Sequence, residues 1–282
     1  MYSNKNIVIP GFDNYPIGID IFFENDKKPL PTIIYVHGFN GFKDWGNFDL
    51  IAQKFAKEGF FFIKFNFSHN GTSPKHPEEF VDLEAFGKNN YSKELADLQT
   101  VMNWACNSQN PYHANIDKQN ISLIGHSLGG GISIIYAKED KQVHKLITWA
   151  GISECNTPWG NWSSQKLEEW KRTGVEYYTN GRTQQQMPLY YQLYEDFYKN
   201  RDRLNIRDAI SDLNIPVLIC HGTIDQAVSI QQAYDLITRQ PNATLFTVHS
   251  DHVFDRKHPW TNNWLPDTMN AVIEESIRFL KK

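Results

Sequence analysis

Disulfide chemistry has almost no material here. The 282 residues include three cysteines, Cys106, Cys155 and Cys220, an odd number at wide spacing. No disulfide framework follows from them; free thiols in a reducing compartment do, with the cytoplasm as the default location. Long apolar runs are missing as well. No stretch approaches the roughly 20 residues that a bilayer span requires, and Met1-Tyr2-Ser3-Asn4-Lys5-Asn6 lacks a signal-type apolar core. No membrane association is therefore expected. Basic charge is not in excess, since 28 Lys and Arg face 32 Asp and Glu for a net charge of −4. Without a basic stripe to neutralise phosphates, nucleic acid is not an expected partner. Internal repeats and low-complexity tracts are not apparent.

What the chain does have is apolar and aromatic mass, 40% and 14% of its residues, enough to bury a sizeable core in a single domain. Strand-like apolar runs fall at 6–9, 17–23, 32–36, 60–65, 121–124, 143–149, 216–220 and 244–248. Between them, helical spacing marks 48–58, 95–108, 128–138 and a C-terminal stretch carrying Met269, Val272, Ile273, Ile277 and Leu280. Strands alternating with helices imply a mostly parallel sheet covered on both faces. One segment, 153–212, breaks the alternation. It reads as helix and loop, clearest at Gln165–Lys171 and Leu189–Asn200, and is rich in Trp and Tyr. Residues 1–152 and 213–282 form the expected core, and 153–212 an insertion lying over the sheet's edge as a lid. Most of its aromatics are expected to pack the insert onto the core; Trp159, Trp162, Tyr190 and Tyr194 are the candidates for lining a substrate pocket.

The most specific signal is Gly125-His126-Ser127-Leu128-Gly129, set between the strand Ile121–Ile124 and the helix that follows. A G-x-S-x-G in that setting is a nucleophile elbow: the turn brings strand and helix so close that a Cβ at either glycine clashes, and the serine hydroxyl stands exposed at the sheet's edge. A lone serine hydroxyl is a poor nucleophile, so a base and an acid that orients it are required. In chain order Ser, Asp, His, each after a later strand, the sequence supplies Asp225 behind Val217–Cys220 and His252 behind Thr244–Val248. His249 is the rival base, but it abuts the strand, whereas His252 lies where a loop can carry its ring over the elbow. Asp251 and Asp255 lie too near His252 along the chain to be its acid, and Asp196 is a weaker rival. Two N–H donors must also face the developing oxyanion. Leu128, after the nucleophile, supplies one; Phe39, in His37-Gly38-Phe39-Asn40-Gly41 after an early strand, supplies the other. His37 is expected to be a structural hydrogen-bonder.

These segments, with Gly125–Gly130, His221–Asp225 and Asp251–Phe254, resemble the α/β-hydrolase superfamily over nearly the whole chain. Phe65-Asn66-Phe67-Ser68-His69-Asn70-Gly71-Thr72-Ser73 is similar to the F-D-x-x-G-x-G-x-S loop of bacterial cinnamoyl and feruloyl esterases. Asn66 stands where Asp is usual, His69-Asn70 replaces the first glycine's neighbourhood, and His249 occupies a place where a small residue is common. The dienelactone-hydrolase-like and prolyl-oligopeptidase-like branches are comparably near. The resemblance implies an α/β-hydrolase fold: a mostly parallel eight-stranded sheet flanked by helices, with a helical lid inserted after strand 6. It also implies a cofactor-free serine hydrolase without naming the substrate; cleavage of carboxylic esters, short-acyl or aryl ones favoured, is the leading expectation. A peptidase, amidase or thioesterase with the same machinery, or a non-catalytic protein of the same fold, are the alternatives. His249, Asp251, His252, Asp255 and His258 are all metal-ligand types within ten residues, but without a second cluster a solvated loop is expected there and no metal.

Overall fold

The computed structural model describes residues 1–24 and 28–282. One sheet of eight strands organises them. It runs β1 (Tyr2–Pro10), β2 (Pro16–Phe23), β4 (Phe61–Asn66), β3 (Leu30–Val36), β5 (Ile116–His126), β6 (Val143–Trp149), β9 (Val217–Gly222) and β10 (Thr244–Val248) from edge to edge. The pairings β1–β2 and β2–β4 are antiparallel and the remainder are parallel. The inner strands carry near-continuous apolar runs because both faces are covered, whereas the edge strands β1 and β10 are partly exposed. Along β3, Ile34 and Val36 enter one hydrophobic cluster, while Ile33 and Tyr35 enter the other. Leu123 and Ile124 of β5 divide the same way.

Helices α1 (Phe48–Lys57) and α9 (Asp267–Leu280) cover one face, burying Ile51, Phe55, Met269, Val272 and Ile273. Helices α3 (Tyr91–Cys106), α4 (Leu128–Glu139) and α8 (Gln231–Arg239) cover the other with Leu98, Val101, Ile132, Ile135 and Leu236. Each such side chain contributes roughly 1.5–3 kcal/mol on leaving water. Helix α3 starts at Tyr91, not near Leu95, because Asn90 caps it: the Asn90 side-chain oxygen accepts the Lys93 N–H at 2.9 Å. Helix α8 and the short α2 (Leu83–Gly87) were not anticipated from apolar spacing.

Residues 153–212 do lie between β6 and β9, but they are not simply helical. Helices α5 (Ser164–Thr173), α6 (Gln192–Lys199) and α7 (Ile206–Ser211) are joined by an antiparallel hairpin, β7 (Val175–Thr179) with β8 (Gln186–Tyr190). The helix expected from Leu189 begins at Gln192, and Leu189 and Tyr190 complete β8 instead. Val175-Glu176-Tyr177-Tyr178-Thr179 has the β-branched and aromatic residues that favour a strand. Asn180-Gly181 then opens the turn, the Asn180 side chain accepting the Arg182 and Thr183 N–H groups at 3.0 and 3.1 Å.

A charge network closes the sheet near the antiparallel edge. Lys43 Nζ lies 2.7 Å from Asp20 and 2.5 Å from Asp44. Lys64 Nζ is paired with Asp44 and lies 3.2 Å from Asp20 and 2.5 Å from Asp49. The three carboxylates converge closely enough to hold a cation, but the two ammonium groups already occupy their centre.

Candidate active site

Strand β5 passes into α4 through a single residue, Ser127. Ser127 sits there at φ 55°, ψ −122°, a conformation that L-residues adopt rarely and at some cost. Its neighbours over-determine it. The Ser127 N–H donates to Trp149 O at 2.9 Å, and its carbonyl accepts from Gly130 and Ile152 N–H at 2.9 and 3.2 Å. A Cβ on Gly125 would lie 2.3 Å from Gly129 O, and one on Gly129 would lie 2.3 Å from Val36 O. Strand, helix and the end of β3 thus meet backbone to backbone, as the motif requires.

The loop after β3 packs directly on this turn: a Cβ on Gly38 would stand 2.8 Å from Ser127 Cβ. His37 stiffens the loop. Its Nδ1 donates to Gly38 O at 2.9 Å, and Nε2 accepts from Phe67 N–H at 3.4 Å. Burial lowers its pKa to about 4, which keeps the ring neutral. Asn66 and Asn70 extend the support. Asn66 accepts the Lys43 N–H at 2.6 Å and donates to Thr72 Oγ1 and Pro77 O at 2.9 and 3.0 Å. An aspartate there could not make the last two bonds. Asn70 donates to Gly41 O at 3.3 Å. Among the described residues, the N–H groups of Phe39 and Leu128 have no hydrogen-bond partner.

Asp225 and His252 meet across the loops that follow β9 and β10, with His252 Nδ1 2.7 Å from Asp225 Oδ2. Asp225 Oδ1 accepts the Ala227 and Val228 N–H groups at 2.9 and 2.8 Å. Burial pushes this carboxyl upward, but bonds from His221, His252 and Val228 outweigh it and hold the group far below the ordinary carboxylate range. His126 and His221, which the sequence reading passed over, both serve this pair. His126 Nε2 donates to the His252 carbonyl at 2.9 Å, its ring kept neutral chiefly by burial. His221 Nε2 donates to Val228 O at 2.8 Å and lies 3.4 Å from Asp225 Oδ2. The rivals are engaged elsewhere. Exposed His249 approaches Thr223 Oγ1 at 3.3 Å, Asp251 accepts the Val253 and Asp255 N–H groups, and Asp255 bonds Ser250 and Thr268. Asp196 caps the Ser92 N–H at 3.1 Å. His258 accepts the Gly46 N–H at 3.1 Å, well apart from His249's partners.

Ser127 and His252 share the wall of a cleft of about 550 Å³, together with Phe39, Trp45, His126 and Arg256. Arg256 is buried against the faces of Trp45 and Phe48, and burial lowers its pKa to about 10. Its Nη1 has no partner among the described residues. A second cavity opens on the other side of Phe39, walled by Phe39, Phe86, Tyr91, Leu128, Leu189 and Leu193.

The four aromatics of the insert singled out from the sequence line neither cavity. Trp159 and Tyr194 belong to an aromatic cluster with Tyr91, Trp170 and Phe197, at centroid distances of 5.6–6.3 Å. Trp162 lies edge-on to Trp170 under the Lys166 ammonium. Tyr190 covers Gly87 and donates to Glu84. Aromatic mass there cements the insert to α3. The insert residues that reach the second cavity are Thr157, Leu189 and Leu193.

Against known proteins, residues 31–179 match the family described as alpha/beta hydrolase fold. Lipase 3 of Moraxella sp. (strain TA144) is 30% identical over 183 residues, 64% of this chain and 46% of that protein. The uncharacterized peptidase YtmA of Bacillus subtilis (strain 168) is 28% identical over 123 residues, 43% of this chain and 41% of that protein. The matched stretch thus spans less than half of either relative. Among solved structures, Est1E from Butyrivibrio proteoclasticus superposes with a TM-score of 0.68 at 16% identity, covering 99% of this chain and all of that one. The match extends over more than half of the 282 residues, and the chain belongs to the α/β-hydrolase fold family.

Proposed function

We propose that this protein is a serine hydrolase of carboxylic esters, with short-acyl or aryl esters favoured. The observation that carries the reading is the 2.7 Å bond that His252 Nδ1 donates to Asp225, on a ring that lines the same cleft as Ser127. In the proposed reaction, His252 takes the Ser127 hydroxyl proton as Oγ attacks the ester carbonyl. The Phe39 and Leu128 N–H groups receive the resulting oxyanion. His252 then gives its proton to the departing alkoxide, the C–O bond breaks, and the acyl group stays on Ser127. Water, deprotonated by the same ring, attacks the acyl-enzyme; the bond from the acyl carbon to Ser127 Oγ then breaks, His252 returns the proton to Oγ, and the acid leaves. Asp225 holds the tautomer with Nδ1 protonated and stabilises the transient imidazolium. No metal or cofactor enters any step, so chelators are expected to leave the rate unchanged.

Segment 153–212 is assigned as the cover over this chemistry. Supporting this, the Tyr178 ring lies 5.9 Å from that of Phe39 and its hydroxyl donates to the Asn40 side chain. The hairpin therefore leans on the loop beside Ser127. Amide and thioester cleavage would use the same groups; an ester, peptide and thioester panel separates them by kcat/KM. A fluorophosphonate probe tests the class directly. Labelling of the wild type at Ser127, mapped by peptide mass and lost in Ser127→Ala, is the expected result. A folded wild type that resists the probe would falsify the serine mechanism.

A further inference from the structure

The cavity bordered by Phe39 is mainly apolar, and one polar pair in its wall is incompletely bonded. Glu94 of α3 is only 4% exposed. Its Oε1 accepts Asn89 Nδ2 at 2.8 Å, while its Oε2 has no partner, and neither has Asn89 Oδ1. Both residues line the cavity. The nearby Tyr91 hydroxyl offers nothing to them, because it donates to Thr157 O at 2.8 Å. Two oxygens that are withdrawn from water and unbonded, on neighbouring residues in the wall of a pocket of Phe, Leu and Tyr side chains, are an unusual arrangement in a folded protein. A guest that brings a hydrogen-bonding group removes the deficit.

The position of the cavity says what that guest is. Phe39 and Leu128, the two residues whose N–H groups are assigned to the oxyanion, are part of its wall, and Phe39 also borders the cleft that holds Ser127. An ester whose carbonyl oxygen lies between those N–H groups therefore has one arm directed past Phe39 toward Glu94. We propose that Glu94 and Asn89 form a specificity subsite for a hydroxyl group at the far end of one arm of the substrate. This rests on the ester-hydrolase reading above. A hydroxyl suits the site better than an ammonium. Burial raises the Glu94 pKa to about 8, so near neutrality the carboxyl is mainly protonated and offers no full charge to a cation. Its O–H can then donate to the guest's oxygen, while Asn89 Oδ1 accepts the guest's proton. The apolar walls suit a short carbon arm ending in that hydroxyl.

The test uses the full chain and two pairs of methyl or aryl esters, each pair differing by a single terminal hydroxyl. One pair carries it on the acyl arm and the other on the alcohol arm. The wild type should prefer the hydroxylated member of one pair by about tenfold or more in kcat/KM. In Glu94→Leu that ratio should fall to near one, and in Glu94→Gln, which keeps a donor and an acceptor, it should largely persist. Because each ratio is read within one variant, a general loss of activity cancels. If Glu94→Leu does not fold, Asn89→Leu carries the same comparison, with a partial fall expected. Equal wild-type rates within both pairs, as for a cavity that takes only water, overturn the subsite. So does a preference that survives both leucine variants. A wild type that cleaves the plain esters but ignores the hydroxyl refutes the subsite alone; one that cleaves no ester refutes the ester reading with it.

Discussion

Asp225 accepts both loop N–H groups on one oxygen and the His252 ring on the other, with His221 3.4 Å away. Its depressed pKa keeps it ionised far below neutrality, so an acid limb in activity at mildly acidic pH would not report its protonation. Asp225→Asn replaces an acceptor facing Nδ1 with an amide that also presents N–H donors, favouring the wrong tautomer. A loss of about 10⁴ in kcat is expected with the fold retained. Ser127→Ala and His252→Ala should lose on the order of 10⁴–10⁶, while His249→Ala, exposed beside Thr223, should stay within a few-fold. Steady-state kinetics on one aryl ester checks all four, and reversed histidine phenotypes would mean that the base is misassigned. Ser127, Asp225 and His252 were legible because each follows a strand in a fixed order. His126 and His221 were not, although one sits inside the elbow motif and the other opens the segment ending at Asp225. Their partners are backbone oxygens of a distant loop and of a turn, and no residue pattern encodes a carbonyl's direction.

Strand and helix at the elbow are held apart by hydrogen atoms alone, so the element scale has its own test. In Gly125→Ala the new methyl would overlap Gly129 O, a backbone atom with little freedom to move. Overpacking of this kind costs about 1–3 kcal/mol, and it displaces Ser127. The variant should therefore melt several degrees lower and lose most of its activity together. A variant with wild-type melting and rate would contradict the backbone contact. The insert is tested at Tyr178. Tyr178→Ala removes the ring beside Phe39 and the bond to Asn40. A rise of several-fold in KM for aryl esters is expected, with fluorophosphonate labelling still complete; an unchanged KM would sink the hairpin's role as cover. The inner strands of the sheet were readable because burial on both faces writes them as apolar runs, and the edge strands β1 and β10 by shorter runs at Ile7–Ile9 and Thr244–Val248. The hairpin was not, since Gln184-Gln185-Gln186 and Pro188 interrupt the run from which β8 is made. Its strand character comes from pairing with β7, a tertiary fact.

Across the whole molecule, stability against pH is a balance that can be resolved group by group. Asp44 feels an upward push from burial that Lys64 and Lys43 outweigh, leaving its pKa at about 2. A depressed carboxylate contributes stability above its unfolded value near 4, and loses it as pH falls through about 2. Buried His37 and His69 and half-buried His258, each with a pKa of about 4 set first by burial, also favour folding at higher pH. Their contribution is present above roughly 6.5 and fades as pH falls to about 4. Glu94 runs the other way. Burial, aided by Asp97 and opposed by Asn89, lifts its pKa from 4.5 to about 8. The folded state holds that proton more tightly than the unfolded chain, so the contribution is full below about 4.5 and lost as pH rises through about 8. The loss amounts to about a few kcal/mol. Wild-type melting temperature alone mixes these terms, but Glu94→Gln keeps the histidines and the Lys43–Lys64 network and removes only the titration of Glu94. The melting temperature of the variant minus that of the wild type should therefore climb by several degrees between pH 5 and pH 8. Two curves that stay parallel across that interval would show Glu94 ionised in the folded protein. A charged carboxylate in that cavity would invite an ammonium and not a hydroxyl, so this measurement also bears on the chemistry of the guest.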